Sequence, residues 1–118
     1  MVLAASGGEP FAPVQLQKAV FLLSRALRAI TGEQLYRFSV GPYGQYDAAV
    51  YRDVETLQRQ GLVVSERRLR REIYAATTSG IERAGRFVSQ VPASLLEAVR
   101  RDVRWVLELS FRELVRAV

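Results

Sequence analysis

The side chains that could perform chemistry in this sequence are few in kind. The chain has no cysteine and no histidine, which excludes thiolate nucleophiles, imidazole bases and metal sites built on these ligands. Acid–base catalysis would then need a carboxylate pair, and the candidates are Asp47 with Asp53 and Glu97 with Asp102. Neither spacing puts both carboxylates on one helical face. The sequence therefore predicts no catalytic residue, no metal, no cofactor and no enzymatic activity.

Arginine is the other informative residue type. Lys and Arg number 17 against 12 Asp and Glu, for a formal net charge of +5. Residues 62–91 alone hold six basic and three acidic residues. The guanidinium group suits phosphate, which predicts contact with a nucleic-acid backbone; the alternative is a polar turn that genomic base composition has filled with arginine. The four candidates within this stretch are Arg67, Arg68, Arg70 and Arg71.

The spacing of apolar residues predicts the elements that position these side chains. Residues 1–13 contain two glycines and two prolines, which predicts an irregular lead-in. From residue 14, apolar residues recur at steps of four and three, which predicts a helix that stops at Thr31 and Gly32. A turn rich in aromatic residues, glycine and proline follows, and a second helix is predicted at residues 46–60, capped by Gly61.

Two β-prone runs, at residues 62–64 and 73–76, predict a hairpin with arginines at its tip. Residues 77–80 resemble an N-terminal cap for a short helix at about 81–90, and a long amphipathic helix of about 22–26 residues is predicted within 93–118. The predicted fold class is mostly α with a two-stranded β-hairpin (α+β). Its predicted parts are a domain at 14–91 and a C-terminal helix at 92–118.

This order of elements resembles a winged helix-turn-helix with a long C-terminal helix. The sequence Val-Tyr-Arg-Asp-Val-Glu-Thr-Leu-Gln-Arg-Gln-Gly-Leu-Val at 50–63, with Tyr-Ala-Ala-Thr-Thr-Ser-Gly at 74–80, is similar to regulators of the PadR and MarR kind. A second resemblance, to SocA-like (Panacea) antitoxin domains, rests on Leu-Gln-Lys at 16–18 and Gly-Pro-Tyr-Gly at 41–44. The winged-helix resemblance implies DNA binding by a recognition helix and a wing, which is the hairpin.

The resemblance makes the second predicted helix the recognition helix, with Gln45, Arg52, Thr56 and Gln58 as candidates for contact with bases. This helix carries two basic and three acidic residues, which disfavours entry into a groove flanked by phosphates. The sequence also departs from the pattern at residues 33–40, because they offer at most a short helix where the winged-helix core has a full one.

Two further sets of residues are candidates for contact with a protein. Four of the five tyrosines fall close together, and they either pack the aromatic turn onto the first helix or form a surface for a peptide or a flipped base, with Tyr43 as the predicted exposed ring. On the C-terminal helix, Trp105 and Leu109 lie opposite part of the apolar stripe. This predicts a homodimer through the helix, unless the helix packs along its own domain.

The predicted function is a dimeric winged-helix DNA-binding protein, a transcriptional regulator that contacts the backbone of double-stranded DNA through its arginine-rich wing. The alternative is a protein-interaction module on the same scaffold, an antitoxin or adaptor that binds a partner through Tyr43, Trp105 and Leu109. No apolar stretch approaches the ~20 residues that a bilayer demands, and residues 1–13 lack the features of a signal peptide. The sequence therefore predicts a cytoplasmic protein that makes no contact with a membrane.

Overall fold

Helices and two small hairpins make up the described part of the chain, so the expected α+β class holds at this level. The computed structural model describes residues 1–34, 36–42, 44–109 and 113. In chain order the elements are α1 (Val2–Ala5), α2 (Pro13–Thr31), β1 (Ser39–Gly41), β2 (Gly44–Tyr46), α3 (Ala49–Arg59), β3 (Val63–Arg68), β4 (Arg71–Ala76), α4 (Thr78–Gly85), a single 3₁₀ turn (Val88–Gln90) and α5 (Ala93–Glu108).

Local chemistry sets both ends of α2, as the sequence predicted. Pro13 occupies the first turn, where its missing N–H costs nothing. The Gln15 side chain accepts a hydrogen bond from the Ala12 N–H at 2.8 Å. At the other end Gly32 adopts a left-handed conformation (φ 79°) and donates its N–H to the Arg28 carbonyl.

The apolar stripe of α5 packs onto its own domain. Leu95, Val99, Val103 and Val106 are buried in the same core as the apolar residues of α2. The helix is shorter than predicted, because Leu109 leaves the helical conformation (ψ 143°) and ends it at Glu108. Beyond that point the predicted helix lies outside the described residues, apart from residue 113. For its described length, α5 fits the alternative of a helix that packs along its own domain.

The lead-in predicted to be irregular is partly ordered, and that prediction needs correction. Val2 and Leu3, on the single turn of α1, are buried, and the Phe11 side chain is completely buried. Phe11 also forms an isolated bridge with Tyr74 of β4, through hydrogen bonds of 2.7 and 2.9 Å. The sequence did not predict this order, because one helical turn and one bridge are too short to produce a periodic pattern.

A hairpin lies between α2 and α3, in the place where the winged-helix pattern has a helix. β1 and β2 pair antiparallel, with Val40 opposite Gln45. Phe38, just before β1, packs edge-on against Phe21 of α2 with ring centroids 5.3 Å apart. Aromatic packing thus holds this turn on the first long helix, as the simpler interpretation of the aromatic residues predicted. α3 begins at Ala49 rather than at 46 because residues 44–46 pair in β2.

The second hairpin lies where it was predicted, but its strands are longer than the runs at 62–64 and 73–76. β3 and β4 pair from Val63 opposite Ala76 to Arg68 opposite Arg71, which leaves a two-residue turn at Leu69 and Arg70. Gly61 takes a positive φ of 75° just after α3, as a C-terminal cap requires. The helix expected at 81–90 begins earlier, at Thr78, and ends at Gly85 before the 3₁₀ turn.

Candidate nucleic-acid interface

The arginine-rich tip of the β3–β4 hairpin is the most basic feature of the described surface. Its four arginines are all exposed. The strand register places Arg67 opposite Glu72 and Arg68 opposite Arg71, so like charges face each other on the last rung, an arrangement that weakly destabilises a hairpin. Glu66 forms an exposed ion pair with Arg68 at 3.1 Å. An exposed pair of this kind contributes little to stability, so these side chains can reorient towards an anion.

The turn at this tip is strained. Leu69 and Arg70 have φ of 49° and 66°, and they are the only residues other than glycine with a positive φ in the described ranges. A side chain in the left-handed region costs roughly 1 kcal/mol or more per residue, and turns of this type ordinarily use Asn and Gly. Leu69 is also 98% exposed. The hairpin needs the positive φ of this turn, but it needs neither a leucine nor an arginine there.

An exposed polar stripe runs along α3. Arg52, Thr56 and Arg59 are exposed and follow each other at the spacing that brings residues onto one helical face. The Thr56 hydroxyl donates to the Arg52 carbonyl at 3.1 Å and accepts from the Arg59 guanidinium at 3.2 Å. Arg59 was missed as a candidate, although its spacing from Arg52 was visible in the sequence.

Two of the three acidic residues expected on this helix have hydrogen-bond partners within the protein. The Asp47 carboxylate, just before α3, accepts the backbone N–H groups of Ala49 and Arg37, both at 2.8 Å. The Asp53 carboxylate accepts a short hydrogen bond from the Tyr36 hydroxyl. These two carboxylates bind different groups of the protein. Arg52, Thr56 and Arg59 share their face of α3 with Glu55, which is also exposed.

A buried glutamine fixes the start of α3 on α2. Gln17 is 4% exposed, and its amide bonds both backbone groups of Asp47: Nε2 donates to the carbonyl at 3.1 Å and Oε1 accepts the N–H at 3.0 Å. The Tyr51 side chain also bonds Gln17. Since these partners are far apart in sequence, the amide sets where α3 begins and how it is oriented.

The base of the second hairpin is fixed to α3 and α4 by one threonine. The Thr77 hydroxyl donates to the Gly61 carbonyl at 2.7 Å and accepts from the Gly80 N–H at 3.0 Å. The Thr77 N–H also donates to the Leu62 carbonyl at 3.1 Å. Gly80 packs so close that a Cβ there would lie 2.1 Å from the Leu62 oxygen. The direction in which the hairpin leaves α3 is therefore fixed at its base.

A row of tyrosines connects α3 to both hairpins. The Tyr51 ring lies 6.1 Å from Tyr46 of β2 and 6.2 Å from Tyr74 of β4, centroid to centroid. Burial raises the pKa of Tyr51, and burial with the nearby Glu72 and Glu55 carboxylates raises the pKa of Tyr74. Glu55 of α3 thus lies close to the hairpin.

The remaining predicted residues are less clearly placed for contact with DNA or a partner. Gln45 and Gln58 are half-buried, so neither stands out from the surface as a base-reading residue would. Trp105 is 43% exposed on α5, while Leu109 is half-buried against the core. Tyr43, the tyrosine predicted to be exposed, lies outside the described residues.

Comparisons of the chain with protein-family models, with curated proteins and with solved structures find no match. Within the described ranges, no helix is both long and apolar enough to cross a bilayer. In that same part of the chain, no cluster of three or more Asp or Glu side chains is arranged to hold a metal ion. The features of the described surface that point to a function are the hairpin tip and the polar stripe of α3.

Proposed function

We propose that the protein binds double-stranded DNA as a winged-helix module and acts as a transcriptional regulator. In this proposal the β3–β4 hairpin is the wing and α3 is the helix that approaches the groove. The observation that carries the proposal is the set of four exposed arginines within five positions at the tip of a hairpin that directly follows α3. Arginine at such a density offers several charge-assisted contacts to phosphate.

The stripe on α3 supports the same proposal. Arg52 and Arg59 flank Thr56 on an exposed face, and Asp47 and Asp53 are held by other groups of the protein. A helix presented in this way offers guanidinium and hydroxyl donors to phosphates or base edges. The hairpin between α2 and α3 is a departure from the winged-helix pattern, so the proposal concerns the surface formed by α3 and the wing.

Salt dependence of DNA binding provides the test. Fluorescence anisotropy would follow a labelled duplex of about two helical turns as salt rises from about 50 to 200 mM. Four phosphate contacts from the wing would give a log–log slope of about −3.6. We expect replacement of Arg67, Arg68 and Arg70 by Gln to weaken binding to every duplex and to make the slope shallower by about 2.7.

A charge-matched variant separates a local site from a general excess of charge. Gln at Arg100, Arg101 and Arg104, all exposed on α5, removes the same net charge from a different element. We expect it to leave the slope nearly unchanged. Equal losses for the two triple variants would mean that overall charge, and not a wing, attracts DNA. If the wild-type protein binds no duplex at about 50 mM salt, the proposed function is wrong.

A second candidate function, contact with another copy of the chain, is favoured by Trp105. This residue is the only tryptophan of the chain, and it is 43% exposed on α5. An exposed tryptophan favours an interface, because tryptophan is enriched in the contacts between proteins. The occupant we propose for this face is a second protomer. Light scattering tests it: a dimer mass that becomes a monomer mass in Trp105→Ala supports the contact, and a monomeric wild-type protein contradicts it.

A further inference from the structure

We infer that Leu69 is an apolar wedge that enters the minor groove of A·T-rich duplex DNA and partly unstacks a base step there. This inference rests on the proposed DNA binding and goes beyond phosphate contact, because it assigns to the wing a groove, a sequence preference and a deformation of the duplex. At the tip of the β3–β4 hairpin, Leu69 is 98% exposed and lies between the exposed arginines of the two strands.

The fold gains nothing from a leucine at this place. Its side chain is almost fully in solvent, and both turn residues adopt a positive φ that Asn and Gly would adopt with less strain. Solubility would likewise favour a polar residue. The two-residue hairpin requires the positive φ itself, but it does not require a leucine and an arginine to adopt it. Residues strained in this way are found at binding sites, and here the strain coincides with the most exposed large apolar side chain of the described surface.

Apolar wedges that unstack base steps are inserted from the minor groove. That groove is about 6 Å wide, and two paired strands lie about 4.8 Å apart, backbone to backbone, before their side chains are added. In the minor groove, therefore, only the two-residue turn would enter. Arg68 and Arg71, opposite each other on the last rung, would then meet the phosphates on the two sides of the groove.

The chemistry of the tip fits an A·T-rich site. A·T-rich tracts have a narrow minor groove with a strongly negative potential that attracts arginine, and Arg70 lies beside Leu69 in the turn. TA steps are the most easily unstacked, and inserted leucine side chains are a known means of kinking them. The wing would therefore prefer a TA step within an A·T-rich segment.

A lipid surface is the alternative to duplex DNA as a ligand for an apolar tip that is flanked by arginines. The strand residues next to the turn are Arg68 and Arg71, and the nearest exposed apolar side chain on this hairpin is Val64, which is paired with Ala75 near the base. One leucine provides far less buried apolar area than stable membrane attachment requires. The duplex remains the favoured ligand, and anionic vesicles become a control.

The experiment compares Leu69→Ala with Val64→Ala. Alanine at 69 keeps the strained turn and all four arginines but removes the wedge, and Val64→Ala removes exposed apolar surface from the same hairpin away from the tip. Two labelled duplexes are used, one with TA steps in an A·T-rich centre and one that is G·C-rich. End-to-end energy transfer reports bending, 2-aminopurine at the TA step reports unstacking, and anisotropy against salt reports affinity.

We expect the wild-type protein to bend the A·T-rich duplex and to raise 2-aminopurine fluorescence. Leu69→Ala should lose both signals and bind this duplex on the order of tenfold more weakly, with an unchanged salt slope and little change on the G·C-rich duplex. Val64→Ala should behave like the wild type. Unchanged circular dichroism would show that the hairpin variants are folded.

The outcomes separate the inference from the proposal beneath it. If the wild-type protein binds duplexes with the expected salt slope but Leu69→Ala bends and binds them equally well, the wedge is refuted and DNA binding stands. If the wild-type protein binds neither duplex, both are refuted. Binding to vesicles with phosphatidylserine, lost in Leu69→Ala and not accompanied by duplex bending, would overturn the wedge in favour of a lipid surface.

Discussion

Substitution of Gly80 by alanine should destabilise the protein, although alanine is the better helix former. An added Cβ would lie 2.1 Å from the Leu62 carbonyl oxygen and 3.1 Å from its carbon. Ordinary contact would require the start of α4 to move by about 1 Å, and overpacking of this kind costs about 1–3 kcal/mol. The same movement strains the hydrogen bonds of Thr77 to Gly61 and Leu62, each contributing roughly 1 kcal/mol.

The gain in helix propensity, roughly 1 kcal/mol, offsets only part of this loss. We therefore expect Gly80→Ala to lower the free energy of unfolding by about 2–3 kcal/mol. Urea denaturation followed by circular dichroism measures it, and an unchanged m-value would show that the unfolded state is the same. Because Thr77 also holds the base of the wing, the variant should bind DNA more weakly as well.

Gly85 provides the matched control in the same helix. A Cβ there meets no atom within 4 Å, so Gly85→Ala should raise the free energy of unfolding by roughly 0.5–1 kcal/mol. The two variants make the same chemical change in α4 and should shift stability in opposite directions. A Gly80→Ala protein as stable as the wild type would refute the close approach of α4 to Leu62.

Three other variants test a tyrosine hydroxyl, a buried glutamine and the turn of the second hairpin. Burial and the hydrogen bond to Asp53 raise the pKa of Tyr36 above the unfolded value near 10, so stability should be constant below about pH 10 and fall above it, and Tyr36→Phe should make that fall shallower in urea titrations from about pH 8 to 11. Gln17→Met should cost about 1–3 kcal/mol of unfolding free energy, because it leaves the partly buried Asp47 N–H without its partner, while the Asp47 carbonyl keeps the Val50 N–H. Asn and Gly in place of Leu69 and Arg70 should stabilise the hairpin by about 1–2 kcal/mol in thermal denaturation, because they relieve the strained turn.

Each of these has an outcome that contradicts it. An alkaline loss of stability that is the same with and without the Tyr36 hydroxyl would place the titrating group elsewhere. The exposed Gln60 serves as the control for Gln17, and equal effects of Met at the two positions would show that the buried amide is unimportant. A turn variant no more stable than the wild type would mean that Leu69 and Arg70 adopt their conformation without strain.

The sequence predicted the parts of this fold that depend on neighbours along the chain. α2 was predicted nearly to its ends because apolar spacing and a glycine stop are local signals, and Gly61 and the hairpin followed from the same kind of evidence. The first hairpin was not predicted, because its strands of three residues each are too short to show alternation. The glycine and proline at 41 and 42 were the part of it that composition revealed.

The candidate interface was also predicted only in part from the sequence. The arginine cluster at the tip was visible in composition, but the strained turn that exposes Leu69 appears only in the backbone angles. The partners of Asp47 and Asp53 could not be predicted, because Gln17 and Tyr36 reach them across long stretches of sequence. The count of charges on a helix therefore does not show which of them have partners within the protein.

The bridge between Phe11 and Tyr74 has a consequence for how the chain folds. β4 pairs with β3 on one side, and Phe11 covers part of the other side through two hydrogen bonds. A contact between such distant residues must first overcome the entropy of closing a long loop. We therefore expect the bridge between Phe11 and Tyr74 to form late in folding. Until then the open edge of β4 can pair with a strand of another molecule, and aggregation would compete with folding most strongly in that interval.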